Sequence, residues 1–476
     1  MSSLMQKTIQ ELAPLLQSKA ISPVELVREC LERIEKTEPI LNAYISVLDK
    51  SAMETAVQAE HEIMQGRYRG PLHGIPYSAK DLYMTRGVRT TAGSAILADN
   101  VPEVNAAVID RMEEAGAILV GKNNLHEFAY GTTSENDHFG PCHNPWDSRM
   151  ITGGSSGGSA ASVAAGSSAF SLGTDTGGSI RIPASFCGVV GIKPTYGRVS
   201  KRGVIPLSWS MDHTGPIAKS VWDAAATLSA MAGYDAGDVG STDVATENYT
   251  AGLVDKNAVS VKGLTVGICP RYYAGLLQPV VEKAFLQVIQ WFETNGAVVK
   301  ELSHPTREAF SVGSVLTMAE AYAYHEQNLE ACGEKYGPSI RYRLEKGQYI
   351  PASAYVNAQR LRQKDRQIWA AIYQEIDVFL SPTVIMPAFP IGEKTVMFGD
   401  EAVDPRVNAV LMYLTSLGDF NGHPVMSLPC GFTEGELPIG FQIQGKPFAE
   451  TKVFQVAYAY ELAHPEISKR KCGLWK

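Results

Sequence analysis

Little in this 476-residue chain points to disulfides, metal, membrane or nucleic acid. Its seven cysteines, Cys30, Cys142, Cys187, Cys269, Cys332, Cys430 and Cys472, are scattered, and no two are spaced CxxC. That argues against a disulfide framework or a zinc site and leaves them as buried thiols. No uncharged apolar run reaches membrane-spanning length. The opening MSSLMQKTIQELAPLLQ mixes apolar and polar residues at helical spacing, where a signal peptide needs an unbroken apolar core. A cytoplasmic location is the expectation. Positive charge is also short: 42 Lys and Arg against 50 Asp and Glu give a net charge of -8, the opposite of a nucleic-acid-binding footprint. No nucleic-acid partner and no membrane are therefore expected; the partner expected is a small-molecule substrate, with the chain a monomer or homodimer.

What is present is an ordinary globular composition, 45% hydrophobic and 19% charged, with ample material for a core. From the N-terminus to residue 65 the pattern is helical, with Ser22 placed to cap a segment opened by Pro23. Short apolar runs then alternate with helical patterns: Ile75 to Ala79, Ala106 to Ala115, Ile118 to Val120, Thr265 to Ile268, Val280 to Thr294. That alternation predicts an α/β sheet. Residues 241–370 are mostly helical in period and rich in tyrosine, as an inserted cap would be. Strand signals return at Val378 to Leu380 and Val425 to Leu428. One domain, 1–476, is expected, with a helical arm (1–65), a core (66–240), a variable cap-like region (241–370) and a last part (371–476) that rejoins the same sheet.

The most unusual composition lies in Gly153 to Ala169, GGSSGGSAASVAAGSSA, where every residue but Val163 is Gly, Ser or Ala. A flexible linker is the first reading of such a tract. Against it, the tract leads through an apolar stretch into the compact turn motif GTDTGGSIR, Gly173 to Arg181. A glycine turn entering a helix offers N–H groups to a phosphate or to an oxyanion, but neither nucleotide fingerprint fits here. The nucleophile elbow G-x-S-x-G matches twice, at Ser155 and Ser156, and would need a histidine downstream. His213, His304, His325, His423 and His464 are all available, and none sits in a motif that singles it out.

The stretches GGSSGGSAASVAAG and GTDTGGSIRIPASFCGVVGIKPTYGRVS resemble the signature of the amidase signature family. HGIPYSAKDLY around Lys80, NNLHEFAYGTTSEN, DVFLSPT, GHPVMSLPCGF and LPIGFQIQG resemble its other blocks, so the likeness spans nearly the whole chain and is weakest across 240–370. The spacings Lys80 to Ser155 and Ser155 to Ser179 agree with it. The resemblance implies the family's α/β fold, a mixed central β-sheet covered on both faces by helices, with a variable helical insertion. It also implies hydrolysis of amides, carbamates, anilides or esters through a Ser-cisSer-Lys triad with no cofactor. Ser179 would be the nucleophile, Lys80 the base and Ser155, after a cis peptide, the bridge between them. The N–H groups of Thr176, Gly177, Gly178 and Ser179 would form the oxyanion hole. Ala129, Tyr130, Gly131 and Ser155 would contact substrate, with Ser156, Asp175 and Arg181 in support.

The chemistry is plausible on its own terms, because a serine hydroxyl needs a base and a lysine is one only when burial keeps it neutral. Within the family, two kinds need separating: free-standing hydrolases, and the glutaminase subunit of a tRNA-dependent amidotransferase. The latter carries an Asp for the glutamine amino group where alignment on Gly422 and Pro424 puts Met412, with Asp419 at the position of an Asn. The free-standing kind, aryl acylamidase-like or carbamate hydrolase-like, is the expectation. The alternative is the amidotransferase glutaminase, and a Ser-His-Asp hydrolase is a second. Trp209 and the tyrosines suggest an apolar or aromatic pocket.

Overall fold

The computed structural model describes residues 3–254, 259–305, 308–405 and 410–475. Thirteen strands are present among them: β1 (Tyr44–Val47), β2 (Pro76–Lys80), β3 (Ile118–Asn123), β4 (Phe170–Asp175), β5 (Val190–Lys193), β6 (His213–Ala218), β7 (Thr265–Ile268), β8 (Val298–Glu301), β9 (Val378–Pro382), β10 (Val396–Phe398), β11 (Glu401–Val403), β12 (Val425–Phe432) and β13 (Pro438–Gln444). All but the small β10–β11 hairpin form one sheet, in the order β1-β3-β2-β4-β6-β5-β12-β13-β9-β7-β8. Pairing is parallel for β3-β2-β4 and β9-β7-β8 and antiparallel elsewhere. The result is the expected mixed α/β sheet of the amidase fold, flanked by helices.

Local signals explain several elements. Ser22 caps the helix Pro23–Leu41 by accepting from the Val24 N–H at 2.9 Å, and Glu25 returns the bond to the Ser22 N–H at 3.0 Å. β2 and β4 are buried along their whole length, as strands covered on both faces must be. Three helices, Glu308–Cys332, Pro338–Gly347 and Ala352–Ile372, form the cap, the second and third packed on the first, and carry Tyr322, Tyr324, Tyr342 and Tyr355. No helix among the described residues is long and apolar enough to cross a membrane.

The Gly/Ser/Ala tract is not a linker. Residues 157–165 form a helix that is buried except at Ala164, wedged between the Pro23–Leu41 helix, β2 and β4. Small side chains are required there because backbones approach: a Cβ on Gly158 would collide with the Ala43 carbonyl oxygen and lie 2.8 Å from the Asn124 nitrogen. Overpacking of this kind typically costs about 1–3 kcal/mol. Gly158→Ala is therefore expected to lower the melting temperature measured by scanning calorimetry, whereas Ala164→Ser, at the half-buried position of the same helix, should leave it nearly unchanged.

Candidate active site

β2 delivers Lys80 to its carboxyl end. Ala79 pairs with Lys122 of β3, and side chains alternate along a strand, so Lys80 and Lys122 leave the sheet on opposite faces. The face decides their partners. Lys122 takes the sequence neighbour of Lys80, Asp81, at 3.1 Å, and also donates to the Tyr83 carbonyl and the Thr90 hydroxyl. Lys80, fully buried, donates to Ser155 Oγ at 2.7 Å and to Thr174 Oγ1 at 2.8 Å, and no described carboxylate lies within ion-pair distance of it. Burial therefore pulls its pKa down to about 7, with Asp175 and Asp212 opposing at longer range.

The Gly154–Ser155 peptide is cis. The Ser155 carbonyl accepts from the His126 N–H at 3.1 Å and the Ser134 hydroxyl at 3.3 Å, which fixes the turn before the Gly157–Ala165 helix. Ser156 Oγ is tied to the Thr174 backbone, donating to its carbonyl at 3.2 Å. Its N–H donates to the Ser179 carbonyl at 3.2 Å, so backbone contacts draw the two serine-bearing turns together. Ser179 itself borders the neighbouring cavity.

The turn from Thr176 to Ser179 is shaped from beneath by Asp175. Its carboxylate accepts from the N–H groups of Gly178 (2.6 Å), Ile180 (3.0 Å) and Arg181 (3.3 Å), and from the Arg181 guanidinium twice at 3.0 Å. Burial would raise the pKa of this carboxyl, but the Arg181 charge and bonds win and hold it near about 2. The Gly178 N–H is thus occupied by Asp175, whereas those of Thr176, Gly177 and Ser179 have no described protein acceptor. Gly178 sits at φ +131°, and a Cβ there would strike Thr415, so glycine alone fits. Arg181 reaches on to Asp419 at 2.7 Å and Gln442 at 3.0 Å, which ties this turn to the C-terminal strands.

A cavity of about 260 Å³ opens on Ser179. Ala129, Tyr130, Gly131, Thr176 and Gly177 line it, as expected from the sequence, and Phe128 and Ala129 adopt the left-handed region at φ 48° and 59°. Their N–H groups are held by the carbonyls of Ala92 and His126, which sustains a conformation that costs roughly 1–3 kcal/mol per non-glycine residue. The far wall is made by Phe310, Met318, Tyr342, Arg343 and Lys346 from the cap helices and by Met412, whose side chain covers Gly177; of these, Phe310, Met318, Arg343 and Lys346 were not read from the sequence. Arg343 is half-buried and donates to the Tyr130 carbonyl at 2.8 Å. Two cations, Arg343 and Lys346, thus join the apolar and aromatic residues of the wall. Of the aromatics, Trp209 lines a different cavity, and Tyr336 packs on Phe128 and His325.

The elbow reading finds no histidine partner. His304 pairs with Asp365, His325 with Tyr336, and His464 with the Tyr460 carbonyl; His423 adjoins Gln444, and His213 faces Asp419 and the Asp175 carbonyl. None of them is bonded to Ser155 or Ser156 among the described residues. Thr174 was missed as a Lys80 partner. Its place in GTDTGGSIR beside a strand end was the available signal.

Comparison with known proteins agrees with the geometry and corrects the sequence reading. The amidase family model matches residues 25–454. The A subunit of the glutamyl-tRNA(Gln) amidotransferase of Geobacter sp. (strain M21) is 39% identical over 479 residues, covering 95% of this chain and 96% of that protein. The inhibitor-bound structure of an s-triazine catabolic enzyme from a vestigial protein complex superposes with a TM-score of 0.92 at 31% identity, covering 98% of this chain and all of that one. The corresponding amidotransferase protein of Thermotoga maritima gives 0.78 at 33%, covering 97% and 96%. These relatives overturn the expectation of a free-standing aryl acylamidase or carbamate hydrolase. They likewise overturn the expected partners, a small-molecule substrate without nucleic acid for a monomer or homodimer, because the amidotransferase relatives are subunits of tRNA-linked enzymes. The physical reason is that Met412 reports on one patch of pocket wall, and the net charge of one polypeptide says nothing of a surface completed by another.

Two outcomes follow from the site. Reaction of Ser179 with a fluorophosphonate should rise with pH through about 7 and then level off, because Lys80 is a proton acceptor above that pH and an ammonium below it. Arg181→Met would leave Asp175 and Asp419 buried and unmatched. A loss of about 3–5 kcal/mol is expected, read as a large drop in melting temperature.

Proposed function

The chain belongs to the amidase family, and from that premise we propose that it hydrolyses a carbon–nitrogen amide bond through an acyl-enzyme on Ser179, as the glutaminase subunit of a tRNA-dependent amidotransferase. The observation that carries the chemistry is the buried Lys80, without an acid partner and joined to Ser155 at 2.7 Å. Neutral Lys80 takes the Ser155 proton as Ser155 takes that of Ser179, and Ser179 Oγ attacks the carbonyl carbon. The oxyanion forms against the N–H groups of Thr176, Gly177 and Ser179, where each donor is worth about 3–4 kcal/mol in the transition state. The proton returns from Lys80 through Ser155 to the leaving nitrogen as the C–N bond breaks. A water molecule, deprotonated along the same path, then releases the acid and frees Ser179.

The finer assignment rests on the 39% identity, over nearly the full length, to the Geobacter amidotransferase protein. Arg343 and Lys346 in the cavity wall suit a carboxylate on the acyl portion, as glutamine has. Ammonia released here would be used by a companion protein on a charged tRNA in the cytoplasm. The test is to combine the purified chain with the companion subunits of the Geobacter enzyme and measure glutamine-dependent amidation of Glu-tRNA(Gln). Wild type should support it, and Ser179→Ala and Lys80→Ala should each reduce the rate by at least about a thousandfold. Amidation with ammonia supplied directly should survive both changes. Full glutamine-dependent activity in Ser179→Ala would sink the mechanism, and none in wild type would sink the assignment.

A further inference from the structure

The helix Pro338–Gly347, which brings Arg343 and Lys346 to the cavity, is tied down at both ends. At its last residue, a Cβ on Gly347 would collide with the Met318 carbonyl oxygen, so the helix lies directly against the backbone of Glu308–Cys332. At its start, the buried N–H of Gly337 meets no backbone carbonyl among the described residues and donates instead to Glu127 Oε2 at 2.9 Å. Glu127 is itself buried, in the short turn Glu127–Ala129 that leads into the cavity wall.

The carboxylate is divided between the two parts that it joins. Its other oxygen, Oε1, accepts from the Ser94 hydroxyl at 2.5 Å and lies 3.1 Å from His138 Nε2, both outside the cap. Asp137 borders the same joint: a Cβ on Gly337 would collide with its Oδ2 and lie 2.7 Å from Glu127 Oε2. Around these polar groups, Phe128 shares one apolar cluster with Tyr336, Ile340 and Leu344 of the cap. A carboxylate in such surroundings is unfavourable unless its bonds are made, and here each oxygen has a partner.

Glu127 also shapes the other side of the contact. Its backbone carbonyl accepts from the Tyr130 N–H at 3.0 Å, and the Tyr130 carbonyl accepts from Arg343 at 2.8 Å. The side chain of Glu127 thus fixes the start of the helix, and its backbone fixes the segment that holds Arg343.

We propose that Glu127 is a positioning residue for substrate recognition: it holds the helix Pro338–Gly347 against the Tyr130 segment, so that Arg343 and Lys346 meet a carboxylate on the acyl portion of the substrate. It does not line the cavity and touches no reacting atom. The inference rests on the reading of Arg343 and Lys346 as carboxylate-binding residues, and not on the companion subunits or the tRNA.

The test uses the full chain and two para-nitrophenyl esters. One is the half-ester of glutaric acid, which keeps a free carboxylate on the acyl chain, and the other is the ester of pentanoic acid, which has none. Wild type should favour the glutarate half-ester in kcat/KM by at least about tenfold, as a carboxylate held by cations implies. Glu127→Gln keeps the side-chain length and removes the charge; it should lower kcat/KM for the glutarate half-ester at least about tenfold more than for the pentanoate ester. Gly337→Ala crowds the same joint from the cap side and should erode the preference in the same direction, which keeps the proposal open to refutation should Glu127→Gln fail to fold. In an Arg343→Met background, adding Glu127→Gln should cost the glutarate half-ester little more, because Glu127 acts through that arginine. Equal losses on the two esters in Glu127→Gln or Gly337→Ala, or a fully additive loss in the double variant, overturn the proposal. A wild type with no preference for the glutarate half-ester would instead overturn the carboxylate-binding reading beneath it.

Discussion

The desolvation of one lysine is the constraint on which the rest of this site depends. An ammonium in the interior is unfavourable unless matched, and the fold gives Lys80 two hydroxyls in place of a carboxylate. Strand register arranges this. Lys122, one strand over and on the opposite face, takes Asp81 and so removes the acid that the sequence sets beside Lys80. Without that division of partners, Lys80 would form a buried ion pair and hold its proton. With it, burial leaves Lys80 at the end of β2 with a pKa lowered to about 7.

A second buried charge system holds the turn that Lys80 is proposed to serve. Asp175, Arg181 and Asp419 form a chain of ion pairs whose members come from both ends of the fold, with Gln442 beyond. Asp175 uses its oxygens on the N–H groups of Gly178, Ile180 and Arg181, leaving those of Thr176, Gly177 and Ser179 without described protein acceptors. The carboxylate thus sorts the donors of the turn. The cap adds a parallel tie through Glu320, Ser208 and Ser210 to the loop bearing Asp212. The turn from Thr176 to Ser179, the C-terminal strands and the cap are therefore linked by buried polar contacts, which are costly to leave half made.

Much of the fold was legible because its signals are local. The Ser22 cap, the buried strands Pro76–Lys80 and Val378–Pro382, and the helix opened by Pro279 all lie close to where periodicity and capping put them. The lysine and two serines were singled out by the resemblance of their flanking blocks to a known family, since composition alone reads the serine tract as a linker. Thr174 and Asp212 were not, since a threonine or aspartate has no sequence mark of the face it will occupy. Arg343 and Lys346 were hidden for another reason: they lie on a helix of ordinary amphipathic pattern, and only its packing over the Tyr130 segment turns them toward the cavity. The partner expectations failed because charge balance and one pocket residue were asked to speak for an assembly.

By itself the sequence determined an α/β sheet with Lys80 after a buried apolar run and Ser155 and Ser179 in two glycine-rich stretches, because turns, buried strands and caps are encoded by neighbours in the chain; the amidase fold itself came from the resemblance of whole blocks to a known family. The tertiary structure alone decided which face Lys80 takes, that Asp175 claims the Gly178 N–H, that Asp212 accepts from Thr176, and that cations line the cavity. Each of those outcomes is a pairing between residues distant in sequence, chosen by register and burial, and a linear pattern carries no information about which of two candidate partners will be within reach.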